Sequence, residues 1–261
     1  VAIPGLPPGA CQPVVRVAAA TAIEDDGLVW VRLDGGSQHG VDAAVLPAFV
    51  RRASSRAQRF LWQATWHAHP IDALENFLDA QHTHFVHAGL VRTATRRRAV
   101  DVTILQSGSA LQVDYDGQAG QSGWLYRLFE SPRELERAHF DASAAGTAQL
   151  EYRYRNGSAL YFTLHFSPVC EGLIRVHGTL HVENRWAPRW AIRLVVWPLL
   201  RRVLRQDRAI VEAQALNRQR CGRSGEGIST ELDLVRPALD AAWSASGAES
   251  RDCLREVRVL L

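Results

Sequence analysis

Between Glu75 and His87 the chain carries Asn76, Asp79, His82, His84 and His87, with neither Gly nor Pro until Gly89. Imidazole nitrogens and carboxylate oxygens are the commonest metal ligands and proton carriers of proteins, so this stretch could bind an ion or move protons. On a regular helix Asp79 and His82 share a face, as do His84 and His87. His82 and His87 would point roughly 140° apart on an ideal helix, so both reach one ion only where the helix bends or ends between them. Thr83, Phe85 and Val86 are modest helix formers, which permits such a break. Three imidazoles, His82, His84 and His87, would suit zinc, with Asp79 as the base of a hydrolase. Far along the chain, Asp207 lies in Arg205-Gln206-Asp207-Arg208, where a solvated carboxylate paired with either arginine is the simplest reading by itself.

The elements that must position these groups can be read from periodicity. Arg59 to His69 alternates, with Phe60, Trp62, Ala64, Trp66 and Ala68 on one phase and His67 and His69 on the other, which predicts a half-buried strand. Pro70 then opens a helix over Ile71 to Leu78. Ala99 to Leu105, Ala110 to Tyr115, Ala148 to Tyr154, Ala159 to Phe166 and Leu173 to Val182 read as strands joined by short turns, hence antiparallel. Asn156-Gly157 is the strongest hairpin signal among them. Gln118 to Gly146 reads as a long connection whose Trp124, Tyr126, Phe129 and Phe140 either cover a pocket entrance or pack in the core. Pro188 to Arg220 is expected to be a long helix bent at Pro198 and carrying Asp207. Gly222 to Gly227 breaks it, Glu231 to Ala245 is expected to be a last helix, and Arg251 to Leu261 is ambiguous.

With 261 residues and 47% apolar content the chain can build one large domain plus part of another. All 30 basic residues are Arg, a bias that points to a GC-rich bacterial genome, and the net charge of +3 argues for neither nucleic acid nor an anionic membrane. Cys11, Cys170, Cys221 and Cys253 are scattered, with no disulfide framework. No apolar run is long enough for a membrane span and no signal peptide is evident, so a cytoplasmic location is the expectation. The chain has no Met and opens with Val1-Ala2-Ile3-Pro4, which reads as a piece of a longer protein.

The run Asn76-x-x-Asp79-x-x-His82-x-x-x-x-His87, with Phe85-Val86 before the second His and Gly89 after it, resembles the mononuclear-iron motif of the Rieske-type non-haem iron oxygenases. The resemblance implies that His82 and His87 are iron ligands and that Asp207 is the third, since Gln206-Asp207-Arg208 followed by Glu212 is similar to the family's late-helix run. Gln206 stands where an acid is common. Asp79 would link a ligand His to electron input, and Asn76 would lie near the iron without being a strong ligand. Asp26-Gly27-Leu28-Val29-Trp30-Val31 is similar to the end of a Rieske domain. The expected organisation is therefore 1–36 as a Rieske remnant, 37–55 as connector and 56–261 as the catalytic domain.

The fold implied is α+β, a helix-grip (START or Bet v 1-like) antiparallel sheet with a long C-terminal helix around an apolar cavity. The implied function is hydroxylation or O-demethylation of a small aromatic substrate with Fe(II) and O2. Electrons would come from a Rieske 2Fe-2S cluster, fed by a ferredoxin and/or reductase, in a homotrimer when full length. The Cys-x-His and Cys-x-x-His ligand pairs of that cluster do not occur here, so this chain alone is expected to be inactive. A metal-free module of the same fold, holding an apolar ligand, is the reading from another class.

Overall fold

The computed structural model describes residues 21–25, 27–32, 49–50, 57–93, 97–116, 123, 132–143, 146–184, 187–222, 230–244 and 252–261. The chain divides into two compact units, Val1–Val45 and Leu46–Leu261. In the first, strands β1 (Thr21–Asp25) and β2 (Leu28–Arg32) form an antiparallel hairpin. Gly27 at its turn has φ of +76°, the left-handed conformation that glycine adopts without a Cβ penalty. The expected strand Val14 to Ala18, most of the connector 37–55 and the aromatics Trp124, Tyr126 and Phe129 lie outside the described residues.

The second unit is one eight-stranded antiparallel sheet in the order β10-β4-β5-β6-β7-β8-β9-β3. Its strands are β3 (Gln58–Trp66), β4 (Ala99–Ser107), β5 (Ala110–Asp116), β6 (Arg133–Asp141), β7 (Thr147–Tyr154), β8 (Ala159–Cys170), β9 (Leu173–Glu183) and β10 (Cys253–Leu260). Short turns join most neighbours, and Gly157 follows Asn156 with φ of +79° while Asn156 Oδ1 accepts from Ser158 N–H. Two strands depart from expectation. β6 falls inside Gln118 to Gly146, read above as a connection, because its charge-rich start hides a strand whose Arg133 and Glu136 are buried as an ion pair. The ambiguous tail becomes β10, paired with β4 across more than a hundred residues.

One face of the sheet packs against helices α1 (Pro70–Leu78), α2 (Trp197–Arg220) and α3 (Arg236–Ser244). Leu74, Leu78, Phe140, Leu164, Phe166 and Ile174 form the fully buried centre of this layer. The Trp62 indole lies across Gly178, its partner on β9: a Cβ there would sit 2.1 Å from Trp62 Nε1, so the indole keeps this place only over glycine. α2 follows a short helical piece (Arg189–Ala191) and a π-helical turn (Ile192–Val196). The bend expected at Pro198 takes this form: proline has no N–H to give and crowds the carbonyl four residues back, so the preceding turn widens. α3 starts at Arg236 rather than Glu231, since Pro237 is tolerated only in a first helical turn. No helix among the described residues is long and apolar enough to cross a membrane.

Charged groups fix α1 to both later helices. Asp72, nearly fully buried, accepts from Arg218 of α2 at 2.6 Å and from Arg236 of α3 at 2.9 Å. Arg236 also bonds Glu75 at 2.8 Å and Asp240 at 3.0 Å. Glu212 Oε1 accepts the backbone N–H of His67 at 3.0 Å, which ties α2 to the end of β3.

Candidate metal centre

α1 ends at Leu78 because Asp79 leaves helical geometry, with φ −85° and ψ 117°. The Asp79 carboxylate accepts the Gln81 N–H at 2.9 Å and so caps a 3-10 helix over Ala80–His84. The Tyr115 hydroxyl spans the break: it donates to the Leu78 carbonyl at 2.8 Å and accepts from the Ala80 N–H at 3.2 Å. Arg92 holds the far side, donating to the Ala80 carbonyl at 2.7 Å and to Thr83 Oγ1 at 3.0 Å. Its other nitrogen reaches both Glu136 oxygens, at 3.3 and 3.0 Å, and Glu136 also pairs with Arg133. The 3-10 helix in turn ends at His84, so the helical path stops between His82 and His87 as their spacing required, and the two rings lie 5.2 Å apart between centroids, nearly perpendicular.

α2 supplies the third group. Leu204, Asp207 and Val211 are its buried residues, so a carboxylate stands in the middle of an apolar stripe. Asp207 Oδ1 lies 2.9 Å from His87 Nε2 and 3.4 Å from His82 Nε2, and Asn76 Nδ2 donates to the same oxygen at 2.9 Å. Ligand atoms of His82, His87 and Asp207 all fall within 4.8 Å of one another.

The tautomers follow from the other ring nitrogens. His82 Nδ1 faces the Asp79 carbonyl, which can only accept, and His87 Nδ1 faces Gln206 Oε1 at 3.0 Å. Each Nδ1 therefore carries the hydrogen, and each neutral ring turns a bare Nε2 lone pair towards Asp207. His87 Nε2 is buried and makes no hydrogen bond of acceptable angle, despite a carboxylate at 2.9 Å. Two lone pairs and a carboxylate converging on one point repel unless a cation or a proton lies among them. The charges shift accordingly. Burial raises the Asp207 carboxyl, but in the metal-free site protonation of His82 and His87 beside it outweighs burial and holds the group well below the usual carboxylate range. Burial opposes charge on His82, yet Asp207 and Asp79 raise its pKa. A divalent metal that takes two neutral imidazoles and one carboxylate fits this donor set without any proton.

The structure places the sequence-derived residues as follows. Asn76, His82, His87 and Asp207 come together. Asp79 adjoins them, but through its backbone carbonyl; its side chain bonds Gln81 instead of a ligand imidazole, and burial pushes its carboxyl upward. His84 is buried, and its ring does not join the cluster, so the His82, His84 and His87 set of a zinc hydrolase is not assembled. Gln206, Tyr115, Arg92 and Glu136 were not singled out as site residues. Of these only Gln206 carried a local signal, its position next to Asp207.

Gln206 orients His87 through the nitrogen opposite the cluster. Replacing it by Leu removes that acceptor, and Fe(II) affinity is expected to fall about 10–100-fold while Gln206→Glu retains it. Competitive Fe(II) titration under nitrogen measures this, and equal affinity in the Leu variant would remove the role.

Beside the cluster lies a largely apolar cavity that opens to solvent at its mouth. α1 contributes Phe77 and Leu78, the sheet contributes Leu150, Tyr152 and Phe162 among others, and α2 contributes Leu200, Val203 and Leu204. His82, His87 and Asp207 form part of the same lining, so a ligand in the cavity touches the candidate centre directly.

The fold is similar to that of several solved structures. Pseudomonas putida CBB5 NdmA with caffeine is 15% identical with a TM-score of 0.71, over 98% of this chain and 73% of that one. Dicamba monooxygenase bound to 3,6-dichlorosalicylic acid is 14% identical with a TM-score of 0.69, over 86% and 68%. Pseudomonas putida CBB5 NdmB is 17% identical with a TM-score of 0.61, over 97% and 71%. At such identities the likeness establishes the fold. No curated protein sequence matches the chain. The profile of the vanillate O-demethylase oxygenase C-terminal domain, in contrast, matches residues 66–246 and so takes in α1, α2 and most of the sheet. The match spans more than half of the chain, which therefore belongs to that family of Rieske-type oxygenase catalytic domains.

Proposed function

We propose that His82, His87 and Asp207 hold a mononuclear Fe(II) and that the cavity presents a small aromatic substrate to it for hydroxylation or O-demethylation. The observation that carries this reading is the convergence of two bare imidazole Nε2 atoms and one carboxylate at the wall of an apolar cavity. Iron bound there would supply activation of O2 for insertion into a C–H bond of the substrate. The chain's own residues prepare that step. Asn76 fixes the Asp207 carboxylate, Gln206 and the Asp79 carbonyl fix the two ring tautomers, and Phe77, Leu150 and Phe162 exclude water from the substrate.

Electrons are assigned to a Rieske 2Fe-2S cluster supplied by a ferredoxin and/or reductase, with Asp79 as the link to His82. The contact of the Asp79 carbonyl with His82 Nδ1 supports that link. Residues 1–36 are assigned to the end of a Rieske domain and 56–261 to the catalytic domain. The division of the chain at Val45, within the expected connector, supports this organisation. A homotrimer is the proposed assembly of the full-length protein.

A three-ligand site leaves coordination positions for O2, and nitric oxide reports them. The Fe(II)-loaded chain exposed to nitric oxide is expected to give the half-integer-spin EPR signal of an iron nitrosyl, sharpened or shifted when substrate enters the cavity. Iron that binds but gives no such signal would have a closed coordination sphere, and the oxygenase reading would fail.

A further inference from the structure

We propose that the exposed face from Trp190 to Arg205 is a docking surface for an anionic phospholipid bilayer, on which the chain lies without crossing it. Docking here involves no ligand of the metal centre and holds for the chain with or without iron. The 21 residues from Arg185 to Arg205 are six arginines and fifteen apolar residues, with no acidic, amide, hydroxyl or histidine side chain among them. The rest of the chain holds 24 arginines against 27 acidic residues, so its small positive net charge conceals a basic band on a body that is otherwise slightly negative.

The fold sorts this segment into two faces. Ile192 and Val196 are buried with Phe60, Leu160, Leu180 and Val182, and Trp197 stacks on Phe60 at 5.1 Å between ring centroids. Those contacts hold the segment against the sheet. The other face is open: Trp190 is 66% exposed, Leu194 68% and Val195 39%. Arg189, Arg193, Arg201, Arg202 and Arg205 are exposed beside them. Leu194, Pro198, Arg201 and Arg205 follow at i, i+4, i+7 and i+11, a single stripe about 15 Å long. Among the described residues none of these five guanidinium groups meets a carboxylate, whereas Arg208 and Arg218 farther along α2 each do.

Chemistry points to lipid as the occupant. Guanidinium forks match phosphate oxygens bidentately, and an indole sits well at the headgroup level of a bilayer, where its ring is apolar and its N–H wet. An acidic protein partner would meet a rim of neutral polar groups as well, which this stretch lacks. Exposed apolar side chains flanked by arginine alone are the pattern of a helix that lies in the interface plane. The stretch is too charged to go deeper, in keeping with the absence of a membrane-spanning helix among the described residues.

The test is flotation of the whole chain with vesicles of phosphatidylcholine alone or with about one-third phosphatidylglycerol. Binding to the anionic vesicles is expected to be at least about 25-fold tighter than to the neutral ones. Arg201→Glu combined with Arg202→Glu should lower it by about 25-fold or more, since each arginine near such a surface is worth about fivefold, whereas lysine at both positions should keep most of it. Leu194→Ser should weaken binding about fivefold through lost apolar burial. A thermal melt of each variant separates lost binding from a lost fold. Independently of the charge variants, brominated lipid should quench Trp190, so Trp190→Phe should lose most of the quenched emission. Equal binding to neutral and anionic vesicles, full binding by the glutamate variant, or quenching unchanged in Trp190→Phe would overturn the proposal. A chain that ignores every vesicle but changes its oligomeric state in the glutamate variant would overturn it in favour of an interface between copies. Polyglutamate bound as tightly as the anionic vesicles, by wild type and Leu194→Ser alike, would overturn it in favour of an acidic polypeptide.

Discussion

Asp207→Ala is expected to abolish stoichiometric iron. The wild-type chain, loaded anaerobically with Fe(II) and desalted, should retain about one iron per chain, and the variant should bind more than about 100-fold more weakly. The fold should survive, because the substitution puts a small apolar residue between Leu204 and Val211 on a stripe that is otherwise apolar. In the metal-free protein it also removes the acceptor of Asn76 and a carboxylate that the two imidazoles hold below its usual range, so thermal stability should fall modestly without loss of the fold. Elemental analysis and a thermal melt on the same samples check both parts. Full iron retention in Asp207→Ala would exclude it as a ligand, and loss of iron together with loss of the fold would show that it acts as structure instead.

Glu136→Ala is expected to cost about 3–5 kcal/mol, because it removes the carboxylate shared by two buried guanidinium groups. Arg92 and Arg133 both pair with Glu136, and all three side chains are nearly inaccessible to water. For a unit of this size the loss should lower the melting temperature by about 10 °C. Because Arg92 also holds Ala80 and Thr83, the 3-10 helix that carries His82 should loosen, and iron affinity should fall with stability. Glu136→Gln, which keeps an acceptor, should lie between the two. A melt within about 1 °C of wild type in Glu136→Ala would mean that the cluster contributes little to this fold.

Much of this architecture is local and was therefore legible. The alternation from Phe60 to Trp66, the Asn156-Gly157 turn and the helix start at Pro70 are decided within a few residues, and the structure follows them. That the helix ends between His82 and His87 could be deduced from angular spacing, although not that α1 would already stop at Asp79 and a 3-10 helix carry His82. Asp207 was named by the resemblance alone, and its position on an apolar stripe beside His82 and His87 depends on how α2 packs against α1. What was not legible depends on distant partners. β6 has charges in its first half that are stable in a buried strand only because Arg92, Arg133 and Glu136 meet in space. β10 gains its identity from β4, and the hold of Gln206 on His87 joins residues 119 positions apart. Periodicity reports which face of an element is buried, not what it meets there.

The most direct test of the central claim is anomalous diffraction at the iron absorption edge from crystals of the Fe(II)-loaded chain. The account predicts a single strong peak among His82 Nε2, His87 Nε2 and the Asp207 carboxylate, at the wall of the apolar cavity. A peak beside His84, or one that engages the imidazoles without Asp207, would contradict it.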